Sequence, residues 1–164
     1  MSYLVQISDL LNDPGSARDE SGSIAVSVAL ANAVVDGEAI MRAKLRSLSD
    51  GIIARGTVTV TAELTCKRCL TIWEDDLDIA FEQVYRRHPD DADDELPLVD
   101  GHSIDLEPAV RDEVSLSLPL APVCRDDCLG LCAVCGTDLN EAPCDGHGDG
   151  SDSPFAALKQ LFDS

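Results

Sequence analysis

The sequence predicts an α+β protein: a mainly antiparallel, curled or barrel-like sheet with one or two helices and a small cysteine-rich module at the C-terminal end. Three observations carry this. Between residues 24 and 64 apolar and polar side chains repeatedly alternate with period two, and turn dipeptides separate the runs. Four-residue apolar spacing appears only afterwards, at Leu106, Val110 and Val114. Five of the seven cysteines fall between Cys124 and Cys144.

In chain order, Leu4, Val5, Ile7, Leu10 and Leu11 form a short apolar patch that reads as a strand running into a turn at Asn12-Asp13-Pro14-Gly15. Ser16 to Gly22 reads as loop. Ile24, Val26, Val28 and Leu30 share one face of a strand, and Asp36-Gly37 is the next turn signal. Met41, Ala43 and Leu45 alternate with Arg42, Lys44 and Arg46, so the three cations share the opposite face of that strand. After a turn at Asp50-Gly51, Val58, Val60 and Ala62 alternate with Thr57, Thr59 and Thr61, a β-branched pattern that fits a pleated surface. Cys66-Lys67-Arg68-Cys69 interrupts it, and Leu77, Ile79, Phe81 and Tyr85 resume it. Strands joined by such short turns pair antiparallel. Residues 86–101 are acidic and broken by proline, which predicts a loop, and Asp105 caps a helix over about 105–115. Ser153-Pro154 opens a final short helix with Phe155, Leu158, Leu161 and Phe162 on one face. The expected division is a β-rich domain over 1–120 and a cysteine module with its terminal helix over 121–164.

Charge is split along the chain. Of the net charge of -19, residues 1–73 contribute almost nothing, with 8 acids against 7 Lys and Arg, whereas residues 74–164 hold 23 acids against 5. The acidic half repels phosphate and suits a basic partner. No apolar run reaches the length of a membrane span, and the first residues lack the pattern of a signal peptide, so a cytoplasmic protein with no membrane partner is expected. In that compartment thiols stay reduced, and clustered cysteines point to a soft metal rather than disulfides.

Cys132-Ala133-Val134-Cys135-Gly136 has the spacing of a zinc knuckle, in which two thiolates take one ion and the glycine lets backbone amides approach the sulfurs. Tetrahedral structural zinc needs two further ligands, and the candidates are Cys128, Cys124, Cys144 and His147. The expected quartet is Cys128, Cys132, Cys135 and Cys144, with Cys124 as the substitute for Cys144. Four thiolates leave no open position for a substrate, so the Zn2+ would be structural. Cys66, Arg68 and Cys69 form a second motif with three readings: a thiol redox pair, half of a metal site completed by distant ligands, or a tight turn in which reduced cysteines pack. Arg42, Lys44, Arg46 and Arg55 form a small basic group able to meet RNA phosphate, without the aromatic side chains that stack bases. No phosphate loop, nucleophile elbow or histidine-metal motif of a hydrolase is present in the sequence.

Taken together, Pro14-Gly15, Arg55-Gly56-Thr57, Cys66-Lys-Arg-Cys69-Leu70, Asp105-Leu106, Leu118-Pro119, the run Cys128-Leu-Gly-Leu-Cys132-Ala-Val-Cys135-Gly-Thr-Asp-Leu-Asn140, Cys144 and Ser153-Pro154-Phe155 resemble the YceD family, in order and over nearly the whole chain. That resemblance implies a non-enzymatic ribosome biogenesis factor that promotes accumulation of large-subunit ribosomal RNA, in the form that carries a C-terminal zinc-binding cluster. Members with the cluster often end it in Cys-x-Cys, whereas here Cys144-Asp145-Gly146-His147 follows, which keeps His147 among the candidate ligands. The implied partners are a basic large-subunit ribosomal protein, the precursor of the large-subunit rRNA, or both. The alternative is a zinc-stabilised thiol redox protein or sensor using Cys66 and Cys69.

Overall fold

The computed structural model describes residues 2–87, 97–144 and 146. In chain order the elements are β1 (Leu4–Gln6), α1 (Ser8–Leu11), β2 (Ala17–Ala29), β3 (Ala33–Ser47), β4 (Gly51–Thr65), β5 (Ile72–Arg86), β6 (Ser103–Asp105) and α2 (Glu107–Ser117). β2 to β5 form an open antiparallel meander in sequence order, and β1 and β6 form a separate two-stranded ribbon. The α+β class and the antiparallel pairing agree with the sequence reading. No helix among the described residues is long and apolar enough to cross a membrane.

Strict alternation decides which face of the sheet is buried. Met41 and Leu45 of β3, Val58 and Val60 of β4, and Ile79 and Phe81 of β5 all point inward, while Arg42, Lys44, Thr57 and Asp78 point out. The inner face is covered by the ribbon, α1 and α2, through Val5, Ile7, Leu10, Ile104, Val110 and Val114. Each aliphatic side chain buried this way contributes about 1.5–3 kcal/mol. α2 begins as expected near Asp105, whose Oδ1 accepts the Glu107 amide at 3.1 Å and the Tyr3 amide at 2.9 Å. One carboxylate thus serves the helix start and the first strand together. β6, which the sequence pattern did not indicate, pairs Ile104 with Val5.

Two local readings change. Ser16 to Gly22 is not loop, because β2 starts at Ala17 and pairs with β3 from Ala17–Arg46 onward. Its polar sequence is held by Arg18, whose Nη1 donates to Asp9 and whose Nη2 donates to the Gln6 carbonyl at 2.7 Å. Asp36-Gly37 is not the turn either. It lies inside β3 opposite Ser27 and Val26, where the ladder to β4 skips between Val34 and Ile40. Glycine suits such a bulge as well as it suits a hairpin, so the dipeptide misleads. The chain reverses instead at residues 30–32, closed by the Leu30 amide on the Ala33 carbonyl at 2.8 Å. Gly56 marks the tightest strand approach, since a Cβ there would collide with the Arg42 carbonyl and the Ala43 Cα.

Tyr85 joins the two sheets. Its hydroxyl donates to the Asp105 carbonyl at 2.7 Å, and burial, followed by the nearby Asp105 charge, raises its pKa above the ordinary 10.0. A phenol whose folded pKa is raised contributes stability that is complete below the unfolded value and is lost as pH rises past it. Urea midpoints should therefore fall once pH passes about 10, and Tyr85→Phe should flatten that fall while costing about 1 kcal/mol at neutral pH.

Candidate metal centre

The turn between β4 and β5 is a knuckle built from Cys66-Lys67-Arg68-Cys69-Leu70-Thr71. The Cys66 amide donates to the Thr71 carbonyl and the Leu70 amide to the Cys66 carbonyl, each at 2.9 Å. Closing that turn puts Leu70 at φ 63°, the one positive φ outside glycine among the described residues. Both sulfurs emerge on one side, and the Arg68 amide approaches Cys66 Sγ at 3.4 Å.

Residues 122–131, which follow α2, fold over this knuckle. The Lys67 amide donates to the Pro122 carbonyl and the Leu131 amide to the Arg68 carbonyl, both at 2.9 Å. The Arg68 guanidinium adds bonds to the carbonyls of Cys128 at 2.9 Å and Asp126 at 3.3 Å. Gly130, at φ 79°, passes so close to the Arg68 carbonyl that a Cβ would stand 2.9 Å from it. The result brings Cys124 and Cys128 onto Cys66 and Cys69, with all four sulfurs within 4.8 Å of one another. Cys66 and Cys128 are 3.9 Å apart, and Cys69 and Cys124 are 3.6 Å apart. Four thiolates around zinc at about 2.3 Å have sulfur–sulfur edges of about 3.8 Å, whereas a disulfide needs about 2.05 Å. The spacing fits a shared ion. Trp73, Val123 and Leu131 pack around the group, and Cys66 is fully buried.

The thiol electrostatics show the crowding. Burial raises the Cys66 pKa, but the amides of Cys69, Cys124 and Arg68 outweigh it and bring the thiol down to about 6. Cys124 goes the other way, pushed up to about 12 by burial and then by the neighbouring thiols Cys69, Cys128 and Cys66. A cation at the centre would relieve that competition for charge, because thiolates bind metal only when deprotonated.

A second knuckle repeats the first. In Cys132-Ala133-Val134-Cys135-Gly136-Thr137 the Cys132 amide donates to the Thr137 carbonyl at 2.8 Å and the Gly136 amide to the Cys132 carbonyl at 2.9 Å. Gly136 takes the left-handed φ of 75° that Leu70 takes in the first. Even the threonine repeats: its Oγ1 lies 3.2 Å from Sγ of Cys69 in one knuckle and 3.1 Å from Sγ of Cys135 in the other. Cys144 joins this pair, 3.7 Å from Cys135, so three sulfurs lie within reach of one ion.

The structure therefore divides the 124–144 cysteines between two groups. Cys128 and Cys124, expected with Cys132, Cys135 and Cys144, are instead drawn to the β4–β5 turn by the backbone bonds of Lys67 and Leu131. Of the three readings of Cys66 and Cys69, the geometry places the pair beside two distant thiols, as a half-site requires. His147 lies outside the described residues. Asn140 is a participant that spacing did not reveal. Its Oδ1 accepts the Leu129 amide and Arg125 Nη2, each at 2.8 Å, while its Nδ2 points at Cys128 Sγ from 3.6 Å, linking the two groups. The readable signal was the repeated pattern Cys-x-x-Cys-x-Thr.

The basic residues lie elsewhere. Lys44 faces Arg55 across the β3–β4 ladder, with Arg42 and Arg46 on the same exposed face. Lys44 is 3.8 Å from Asp19, and Arg55 donates to Glu82 at 3.2 Å. From Arg55 to Thr65, at the cysteine end of β4, is about 30 Å at about 3.3 Å per residue. Toward that end the same face turns acidic, with Asp36, Glu38, Glu63, Glu74, Asp76 and Asp78 all exposed. Among the described residues no ion pair engages these six.

An open antiparallel sheet whose last turn is a cysteine knuckle, followed by a second knuckle, defines a small thiol-rich α+β protein. The profile of the family described as Large ribosomal RNA subunit accumulation protein YceD matches residues 54–162, from β4 through both cysteine groups. The chain belongs to the YceD family. Uncharacterized proteins of Mycobacterium bovis and Mycobacterium tuberculosis are each 37% identical to it over 121 residues, which is 69% of this chain and 57% of theirs. An uncharacterized protein of Mycobacterium leprae is 35% identical over 125 residues, 73% of this chain and again 57% of its own. The chain thus spans little more than half the length of these relatives. No solved structure matches it.

Proposed function

We propose that this protein is a non-catalytic, cytoplasmic factor in large-subunit ribosome biogenesis that supports accumulation of large-subunit rRNA by holding a basic large-subunit ribosomal protein. Its role in rRNA accumulation rests on the family. The observation that carries the choice of client is the exposed sheet face, where six acids gather at the cysteine end with no ion pair among the described residues. Acids without a cation beside them on a rigid surface attract a lysine-rich protein and repel rRNA, and the more highly charged rRNA would later compete that protein away. In this reading Cys66, Cys69, Cys124 and Cys128 hold one structural Zn2+, and Cys132, Cys135 and Cys144 contribute to a second. The ions would shape the acidic end and perform no chemistry on a substrate.

Affinity capture from a native lysate, at low and at high salt, with both protein and RNA identified, tests the reading. A basic large-subunit ribosomal protein should be retained at low salt and released at high salt, and reversing Asp76 and Asp78 to lysine should weaken its retention by about tenfold. Recovery of rRNA alone, unaffected by that reversal, would contradict it and turn attention to Arg42, Lys44, Arg46 and Arg55. The lowered thiol of Cys66 favours a second reading, a redox pair with Cys69. It requires disulfide-exchange activity that disappears in the Cys66→Ser, Cys69→Ser double variant while metal content in the unsubstituted protein stays at zero.

A further inference from the structure

A cleft of about 790 Å³ opens between β5, the β1–β6 ribbon and the start of α2. It meets the basic strip at Glu82, which pairs with Arg55, and neither cysteine group contributes to it. Five acids line it: Glu82, Asp100, Asp105, Asp112 and Glu113. Among the described residues no lysine or arginine does. Between the acids the lining mixes polar side chains such as Gln83 and Ser103 with apolar ones, among them Leu4 and Leu98, which are 61% and 47% exposed. Exposed leucines inside an acid-rimmed cleft are costly to leave in water and have no use for a purely ionic ligand.

We infer that this cleft is a docking site for a short basic segment of a partner protein, one that pairs lysine or arginine with an apolar residue. Three features of the lining set that chemistry. Glu82 and Asp112 already pair with Arg55 and Arg111, whereas Asp100 and Glu113 make no ion pair among the described residues, so these two are available to cations. Asp105 already satisfies the amides of Tyr3 and Glu107, so the positive start of α2 is neutralised before a ligand arrives. Leu4 and Leu98 supply the apolar contact that separates such a segment from a simple polycation. The volume suits about four or five residues. An RNA strand would face five carboxylates, of which only Glu82 and Asp112 have an arginine beside them among the described residues. The inference rests on the basic-client reading above and adds to the acidic sheet face a second place on the fold where one short segment of that client would be gripped.

The test uses the full chain and a fluorescent hexapeptide of sequence Lys-Arg-Leu-Lys-Arg-Leu, followed by anisotropy and by amide chemical shifts. Binding should shift the amides of Leu98, Asp100, Ala109 and Glu113. The variant Asp100→Lys with Glu113→Lys should weaken binding by about tenfold, while Asp76→Lys with Asp78→Lys on the sheet face should weaken it less than about twofold. A peptide with serine in place of leucine should also bind about fivefold more weakly. Equal losses from both pairs of reversals, or indifference to the leucines, would overturn the cleft and leave only a diffuse acidic field. Captured ribosomal protein that the cleft variant still retains would overturn this inference while leaving the client reading standing. Peptide bound in the cleft with no ribosomal protein captured from lysate would do the reverse.

Discussion

Cys69→Ser should remove one equivalent of bound metal and detach residues 122–131 from the β4–β5 turn, at a cost of about 4 kcal/mol or more. The size of the effect follows from how the site is made. Two of its thiols belong to a sheet turn and two to a segment more than fifty residues later, so the ion offsets the entropy of closing a long loop that is open in the unfolded chain. Backbone bonds from Lys67 and Leu131 hold the same segment, but each adds only about 1 kcal/mol, too little to order it alone. The sheet has its own core and should survive. The expected signature is therefore local: metal analysis one equivalent lower, new proteolytic cleavage between Val123 and Leu131, and a far-ultraviolet spectrum that still reports strands. Cys135→Ser, in the more exposed second group, should leave residues 122–131 resistant.

Leu45→Ala should cost about 2–5 kcal/mol, the second large effect. Leu45 sits in β3, fully buried on the inner face of the sheet. Truncation there removes apolar area from a rigid site and leaves a cavity that neighbouring strands are too constrained to fill. Urea titration should show a lower midpoint with unchanged slope, since the two end states expose the same surface. Ile40→Ala, on the same strand with a side chain 57% exposed, should stay within about 0.5 kcal/mol. The contrast between the two tests the register of β3 directly.

Much of the sheet was legible because alternation is a direct print of burial. Val58, Val60 and Ala62, like Ile79 and Phe81, could be assigned to one face without any contact information. What failed were stretches where the face is not written in hydrophobicity. Asp19, Glu20, Ser21 and Gly22 are polar in succession, and they form strand only because β3 and Arg18 hold them. Asp36-Gly37 carries a turn signature but serves a bulge, a choice made by the neighbouring ladder. β6 is three residues long and too short for any period to show. At the site, local spacing identified both cysteine motifs but not their pairing. Nothing in the sequence near Cys66 says that Cys124 and Cys128 will arrive there. The linking information lies in long-range backbone bonds and in the handedness that Gly130 permits beside Arg68.

Two cysteine pairs far apart in sequence should close around one ion. X-ray absorption at the zinc edge, on protein purified without chelator and carrying Cys132→Ser, Cys135→Ser and Cys144→Ser, isolates that site. Stoichiometric zinc with four sulfur neighbours at about 2.3 Å is the expected result. Metal-free protein with Cys66, Cys69, Cys124 and Cys128 all freely titratable in the native state would contradict it.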